Sequence, residues 1–305
     1  RDPRDMPVEE WGGIAYSLAA LDAALPEHWQ IVPVMKVGHD LAGQARRHLT
    51  TLRRLASDAA LVEVPFPTSR VELHYLSAER RTERMSGGVP PWSWIALQPL
   101  LRDLDALYIN LISGFELDLE TAQLIRQHFR GPIYCDVHSL LLAVQPSGLR
   151  TPRPLENVPA WCRCFDLMQL NEDELSMMAP DAMGLAATAM ANGVRSLVVT
   201  LGARGVVYFA SAGFDGLESR PARALNDAGG AIRTAILPAV PPRDPESIDP
   251  TGCGDVFGAT YYSRLLAGDK LTAALSAALI AAGRNLEHRG AGGLAHHLRG
   301  ELSQA

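Results

Sequence analysis

Four neighbouring residues combine the properties of an anion site with those of an acid–base group: Gly252, Cys253, Gly254 and Asp255. The apolar run at 256–262 follows them at once, which is typical of a loop that turns directly into a helix. The free N–H groups at a helix start, backed by the helix dipole, attract anions, and glycine lets a ligand approach the backbone closely. The pattern favours a phosphate site.

Asp255 is unexpected in a site that should attract anions. A carboxylate there can act as a general base, which takes a proton from an attacking hydroxyl while the amides stabilise a transferred phosphoryl group. The same residue can also be an ordinary acid of the first helical turn, where it complements the helix dipole. The residue types alone leave both interpretations open.

Composition excludes several classes of protein. The chain has 305 residues, 47% of them hydrophobic, with 34 acidic and 28 basic residues, so it can bury a large core but lacks the basic surface that tracks nucleic acid. We find no run of 18 apolar residues and no basic-then-apolar leader, and we therefore expect a cytoplasmic protein with no membrane partner. Four cysteines, among them Cys162 and Cys164, are too few for a disulfide framework or a convincing zinc signature.

Strands and helices are expected to alternate in the second part of the chain. Residues 106–111 and 132–136 have the composition of buried strands, and residues 119–129 have helical spacing. This alternation predicts βαβ units and a parallel sheet, with ligands at the carboxyl ends of the strands. Residues 113–114 and Asp136 follow or end such strands, so their position alone makes them pocket candidates.

The segment at 249–258, DPTGCGDVFG, resembles the D-T-x-G-A-G-D-x-F signature of the ribokinase-like (PfkB) family of carbohydrate kinases. It differs by a proline in the second position and a cysteine in place of the usual alanine. In that family the last Asp is the catalytic base and the amides of G-A-G form the anion hole. The resemblance gives the first role to Asp255 and the second to Gly252, Cys253 and Gly254.

A second segment resembles the family's acceptor-binding motif G-G-x-x-x-N. Here it comprises Gly12, Gly13 and, in place of the asparagine that usually holds the acceptor, Ser17. A Gly-Gly pair before a helix lets a polyol approach the backbone, although any tight turn would use the same residues. Serine offers one hydroxyl where an amide offers a separate donor and acceptor, so the substrate can differ from the usual sugars.

Two further segments are similar to nucleotide-side motifs of the family. Asn171 and Glu174 resemble N-x-x-E, which positions Mg²⁺ and phosphate groups through water, but a helix cap would have the same sequence. Thr200, Gly202 and Gly205 are similar to V-T-L-G-x-x-G, which contacts the phosphates and ribose of the nucleotide; a plain glycine hairpin is the alternative. The resemblance therefore implies ATP and Mg²⁺, with Glu174 as the metal residue.

Extended, partly alternating segments at 61–85 resemble the strands of the family's small β lid, and a solvated hairpin is the alternative. Arg80, Arg81 and Arg84 could meet a phosphorylated or acidic acceptor there. Family members begin with an apolar strand that ends in an acceptor-binding Asp. Residues 1–10 are charged and unlike such a strand, so we expect that the N-terminal strand is absent from this chain.

Together these features predict one ribokinase-like kinase domain over 1–305, an α/β fold with a central, mostly parallel sheet flanked by helices and a small β lid. The expected activity is ATP-dependent phosphorylation of a hydroxyl on a sugar or sugar-like acceptor, with Asp255 as general base. A nucleoside or vitamin-like alcohol kinase, and a degenerate non-catalytic nucleotide- or sugar-binding member, are the alternatives. A monovalent cation such as K⁺ and a homodimer stay open.

Cys253 supports one side hypothesis. A thiol at a helix N-terminus can have a lowered pKa and be reactive, so that its alkylation would block the phosphate site. The alternative is a small residue that fills the place of alanine.

Overall fold

The computed structural model describes residues 8–57, 61–75, 81–218, 231–243 and 248–301. Residues 1–7 and Arg80, on which two of the predictions depend, lie outside the described residues. The strands in the described part are β1 (Met35–Gly38), β2 (Leu61–Val64), β3 (Arg70–Tyr75), β4 (Arg81–Ser86), β5 (Leu107–Asn110), β6 (Ile133–Asp136), β7 (Leu142–Val144), β8 (Arg150–Pro152), β9 (Leu167–Asn171), β10 (Ser196–Thr200), β11 (Val206–Ala210) and β12 (Arg233–Leu237). The α-helices there are α1 (Gly13–Ala24), α2 (Ala42–Leu49), α3 (Trp94–Leu97), α4 (Leu119–His128), α5 (Val158–Cys162), α6 (Glu172–Met178), α7 (Ala182–Ala191), α8 (Cys253–Leu266), α9 (Leu271–Asn285) and α10 (Leu294–Arg299).

The central sheet has six strands in the order β12-β11-β10-β9-β6-β5. The strands β5, β6, β9 and β10 are parallel, as the alternation of strands and helices predicts. The pairs β10–β11 and β11–β12 are antiparallel, so the sheet is mixed at this edge. The reason is local: only five residues separate β10 from β11, and so short a connection can join only antiparallel neighbours.

The two faces of the sheet carry different side chains because successive residues of a strand point in opposite directions. On β6, Ile133 and Cys135 belong to the core shared with α4, α5 and α7, whereas Tyr134 belongs to the core shared with α8 and α9. Gly258 of α8 lies against the sheet, where a Cβ atom would overlap the Tyr134 hydroxyl and come within 2.8 Å of Gln169 Oε1. This close approach holds the start of α8 near the carboxyl ends of β6 and β9.

The remaining strands form small sheets outside the central one. Strands β2, β3 and β4 fall where the sequence predicts extended segments; β2 pairs with β1 in parallel, and β3 pairs with β4 as an antiparallel hairpin. The hairpin rests on the β7–β8 hairpin, since the Met85 N–H donates to the Gly148 carbonyl at 2.7 Å. Within the described residues, none of the helices is both long and apolar enough to span a bilayer.

Candidate active site

The start of α8 is held in an unusual backbone conformation. Gly252, the N-cap, has φ 76°, which belongs to the left-handed region that glycine adopts without strain. A Cβ atom on this residue would also overlap the ring of Tyr16, which is buried beneath it. Position 252 therefore needs glycine for two independent reasons.

The three amides predicted to form an anion hole are not equivalent. The Cys253 N–H donates to the Pro250 carbonyl at 3.2 Å, so this amide already has a partner, contrary to the expectation that all three are free. Among the described residues, the N–H groups of Gly252 and Gly254 have no protein acceptor. At the start of α8, the N–H groups of Gly252 and Gly254 are thus available beside Asp255, whereas the Cys253 N–H closes the turn before the helix.

The carboxylate of Asp255 is partly exposed and is surrounded by residues from distant parts of the chain. Asn110 Nδ2 donates to Asp255 Oδ1 at 2.5 Å. A Cβ atom on Gly13 would lie 2.9 and 3.1 Å from the two carboxylate oxygens, so the start of α1 approaches the acid closely. Burial raises the pKa of Asp255, an effect that the Asn110 hydrogen bond, the charge of His138 and a hydrogen bond from Ser17 partly oppose.

Ser17, predicted to bind the acceptor, is fully buried on α1. Its Oγ accepts a hydrogen bond from Asn110 Nδ2 at 2.8 Å and lies 3.3 Å from the Tyr108 hydroxyl. The structure thus brings Ser17 and Gly13 together with Asp255, and Gly12 caps α1 next to them. The Ser17 hydroxyl is engaged by protein groups, so its first role is to complete the polar cluster around Asp255.

Asn171 and Glu174 form a capping box at the start of α6. The Glu174 N–H donates to Asn171 Oδ1 at 2.9 Å, and Glu174 Oε2 accepts from the Asn171 N–H at 2.8 Å. The geometry is that of the helix cap named above as the alternative to the family motif. The Glu174 side chain is buried, and its Oε1 also accepts a hydrogen bond from His138 Nδ1.

His138 follows β6 and lies among carboxylates. Burial lowers its pKa, but the hydrogen bond and charge of Glu174, with Asp136 and Glu83, outweigh this and raise the pKa to about 9. Asp136 ends β6 with its Oδ1 accepting the His138 N–H at 3.2 Å and its Oδ2 accepting from Gln169 at 3.1 Å. Burial and the charges of Glu174 and Asp255 raise the pKa of Asp136 to about 7.

Thr200, Gly202 and Gly205 lie at the turn between β10 and β11. Thr200 pairs with Asn171 across the sheet, so the two predicted nucleotide segments are neighbours. Gly205 has φ 98°, and a Cβ atom there would overlap the Leu237 carbonyl. In the described part of the chain no hydrogen bond joins these three residues to Asp255, and their nucleotide-binding role stays a prediction.

On the β3–β4 hairpin, the side chain of Glu83 faces the interior of the protein. Glu83 accepts from Arg150 Nη1 at 3.2 Å, and both side chains are largely buried. Arg84, predicted as a contact for an acidic acceptor, lies on the exposed face and donates to the Ser147 carbonyl at 2.7 Å, so that prediction is wrong for this residue. Consecutive residues of a strand face opposite sides of its sheet. The packing of the β3–β4 hairpin on the β7–β8 hairpin therefore decides that Glu83, and not Arg84, faces the interior of the protein.

The predicted reactive thiol is also wrong. Burial raises the pKa of Cys253 to about 11, against the opposing effect of a hydrogen bond from Asn285. The Asn285 amide lies 3.3 Å from the sulfur. Desolvation therefore outweighs the helix N-terminus, and Cys253 acts as a small packing residue.

Comparison with known proteins decides the family. The model of the pfkB family carbohydrate kinases matches residues 143–297, just over half of the chain. The chain belongs to the PfkB family of carbohydrate kinases. None of the curated proteins matches the sequence significantly.

Solved structures of this fold cover nearly the whole PfkB chain. A ribokinase from Thermotoga maritima has a TM-score of 0.69 at 17% identity, covering 97% of this chain and 88% of its own. A Burkholderia thailandensis nucleoside kinase in complex with inosine has a TM-score of 0.69 at 17% identity, covering 95% of this chain and 83% of its own. An Arabidopsis thaliana ribokinase complexed with ribose and ATP has a TM-score of 0.60 at 16% identity, covering 93% of this chain and 86% of its own. At these identities the likeness shows the fold, which confirms the predicted ribokinase-like architecture.

Three polar residues of this PfkB site were not identified by the sequence motifs: Asn110, His138 and Gln169. Asn110 ends β5, and His138 comes two residues after the end of β6. The rule that ligands bind at the carboxyl ends of parallel strands could have found these two. Gln169 lies within β9 and donates to the Gly254 carbonyl at 3.0 Å. No local sequence pattern predicts this contact.

Proposed function

We propose that the protein is an ATP-dependent phosphotransferase that acts on a hydroxyl of an uncharged sugar or sugar-like acceptor, with Asp255 as the general base. The observation that carries this proposal is the position of the Asp255 carboxylate, partly buried and in the first turn of a helix with two open N–H donors. A carboxylate with a raised pKa is a stronger base than a solvated one.

In this mechanism Asp255 accepts the proton of the acceptor hydroxyl as that oxygen attacks the phosphoryl group. The N–H groups of Gly252 and Gly254, with the dipole of α8 behind them, stabilise the negative charge that develops on the transferred group. Cys253 contributes through the turn that its N–H closes onto Pro250. The protein supplies mainly position and charge, as phosphoryl transfer requires.

The charges around Asp255 favour a neutral acceptor. Asp255 and Asp136 are acidic, the cation Arg150 of the β7–β8 hairpin is already paired with Glu83, and Arg84 lies on the opposite, exposed face of the β3–β4 hairpin. Ribose and inosine, named for two of the similar structures, are uncharged polyols. Gly12 and Gly13 would let such a molecule approach the start of α1, beside the Asp255 carboxylate and the partly exposed amide of Asn110.

ATP would bind on the side of Asn171, Thr200, Gly202 and Gly205. Within the described residues no three His, Cys, Asp or Glu side chains form a group that would hold a metal ion directly. The Glu174 carboxylate is buried and its two oxygens already accept hydrogen bonds from Asn171 and His138, so a Mg²⁺ ion at the phosphates would reach Glu174 only through water, which Mg²⁺ keeps readily. When bound there, Mg²⁺ would offset negative charge on the phosphates. Stimulation by K⁺ and a homodimer stay open, and a cytoplasmic location stays a prediction from the sequence.

The test is ADP release from ATP and Mg²⁺ in the presence of ribose, fructose, myo-inositol, inosine and their phosphates. We expect turnover with an uncharged polyol, and turnover with inosine alone would favour the nucleoside alternative. Asp255→Asn should lower kcat by about 10²–10⁴-fold while ATP still binds, because the amide cannot accept the proton. The exposed Asp103→Asn is the matched control.

Two results would contradict the proposal. Near-normal turnover of Asp255→Asn would remove the base assignment. ATP binding by the wild-type protein without consumption of ATP with any acceptor would favour the non-catalytic alternative.

A further inference from the structure

Asn110 joins three segments of the chain at the proposed base. It ends β5, and its Nδ2 lies 2.5 Å from Asp255 Oδ1 on α8 and 2.8 Å from Ser17 Oγ on α1. The Tyr108 hydroxyl, two residues earlier on β5, lies 3.3 Å from the same Ser17 oxygen and donates to the Asp255 carbonyl at 3.4 Å. One amide group thus connects the acid to the serine.

The orientation of this amide follows from its partners. An ionised carboxylate only accepts hydrogen bonds, so the NH₂ group of Asn110 must face Asp255, and its second N–H is available for Ser17. Asn110 Oδ1 accepts from no other group in the described part of the chain, and the side chain is partly exposed. Both N–H groups of the Asn110 amide therefore bind Asp255 and Ser17, and the amide oxygen has no partner among the described residues.

We propose that Asn110 is a positioning residue for the base: it holds the Asp255 carboxylate in place against Gly13 and keeps it ionised. A hydrogen bond donated to the charged form of an acid favours that form. The inference rests on the proposed function, since it assigns a role relative to Asp255 as base. It adds a residue outside the sequence motifs, with a distinct effect on pH dependence.

Other groups around Asp255 act on the same equilibrium. Burial opposes ionisation, and the charge of His138 favours it. The remaining titratable neighbours, from the elements packed against the acid, are Asp136 at the end of β6, Tyr108 on β5, Tyr16 on α1 and Cys253 on α8. A substitution at Asn110 removes none of these titratable groups, whereas it does remove the hydrogen bond that Asn110 donates to Asp255.

The first experiment measures kcat/KM against pH for Asn110→Ala, with the acceptor identified by the panel above. The acidic limb of kcat/KM reports the free enzyme. We expect it to move upward by about one pH unit, so that activity falls about tenfold near the limb and much less at higher pH. A residue with only a structural role would lower activity by the same factor at every pH.

The matched control is Asn192→Ala. Asn192 also makes side-chain hydrogen bonds, to the Thr188 carbonyl and from Arg163, but it lies at the end of α7, away from Asp255. We expect this variant to leave the acidic limb where it is. The carboxyl ¹³C resonance of Asp255, assigned by its loss in Asp255→Asn, gives the same pKa without activity and should titrate at higher pH in Asn110→Ala.

The second experiment exchanges the two partners. Because Asn110 Nδ2 and Ser17 Oγ are in contact, the double variant Ser17→Asn/Asn110→Ser keeps an amide within reach of Asp255 and nearly conserves the buried volume. We expect the acidic limb of the double variant to return towards that of the wild type, whereas Asn110→Ser alone shifts it upward. A folded double variant with the limb of the single variant would contradict the proposal.

The outcomes separate this inference from the proposed function. An active Asp255→Asn would overturn the base assignment and this inference with it. An inactive Asp255→Asn together with an unshifted acidic limb and an unshifted ¹³C titration in Asn110→Ala would overturn only the role of Asn110.

Discussion

Replacing Gly13 by alanine should impair the site while the fold stays intact. The added Cβ atom would lie 2.9 Å from Asp255 Oδ1, 3.1 Å from Oδ2 and 2.8 Å from Ile112 Cδ1. Ordinary contact begins at 3.4 Å, so the carboxylate or the start of α1 must move by about 0.5 Å. The Ile112 methyl group can rotate away, but a shift of the carboxylate changes its position relative to Asn110 and to the helix start.

The size of the effect follows from this displacement. A misplacement of about 1 Å of reacting groups can cost about 10²-fold in rate, so about 0.5 Å should lower kcat about tenfold. Alanine gains up to about 1 kcal/mol of helix propensity, whereas overpacking costs about 1–3 kcal/mol. We therefore expect the free energy of unfolding to change by no more than about 2 kcal/mol, with folding checked by thermal unfolding.

The assay is ADP release with the acceptor found by the panel, run beside Gly43→Ala. Gly43 lies in α2, and a Cβ atom there would meet only Arg47 Nη1 at 3.7 Å, which is ordinary contact. If Gly13→Ala fails to fold, Ile112→Val added to it removes the contact with Ile112 Cδ1 and leaves only the contact with the carboxylate. Unchanged kcat in a folded Gly13→Ala protein would refute the argument that Asp255 is packed tightly against this backbone.

Three further predictions concern charge. His138→Gln should shift the acidic limb of kcat/KM to higher pH, since the charge of His138 lowers the pKa of Asp255; an unmoved limb, with the exposed His128→Gln as control, would contradict this. Because burial raises the pKa of Asp136 to about 7, the stability that this group contributes is complete below about pH 4 and is lost as the pH rises through 7. Asp136→Asn should therefore lose less Tm than the wild type between pH 5 and pH 8, and an equal or larger loss would argue against the raised pKa. Cys253, whose pKa burial raises to about 11, should react with iodoacetamide at pH 7.5 far more slowly than a small free thiol, as mass spectrometry of the labelled protein would show.

The sequence predicts those parts of the site that depend on local geometry. The spacing of Gly252 and Gly254 identifies a helix start, and α8 begins at Cys253. The strand–helix alternation predicts the sheet, because buried parallel strands are recognisable as continuous apolar runs. Asn171 and Glu174 also follow from spacing, since a capping box is a contact between residues three apart.

Features that depend on tertiary contacts could not be predicted in this way. Whether Glu83 or Arg84 faces inward depends on a β7–β8 hairpin about 60 residues later in the chain. The pKa of Cys253 depends on how deeply the thiol is buried, which its place at a helix start does not reveal. The role of Asn110 requires the meeting of α1, β5 and α8, whose residues are 93 and 145 positions apart.

The balance of charge around the site explains why the acids can remain so close together. The acids Asp136, Glu174 and Asp255 surround His138, whose raised pKa keeps it positively charged at neutral pH. Across the cluster, Arg150 binds Glu83 and also donates to Ser139 Oγ at 2.9 Å, so the inner acid of the hairpin is already paired. Within this cluster, His138 and Arg150 are thus both paired with carboxylates of the protein. Among the described residues, the two cations of this cluster are already paired with acids and would not be free to bind a phosphorylated acceptor, whereas an uncharged polyol needs only hydrogen bonds.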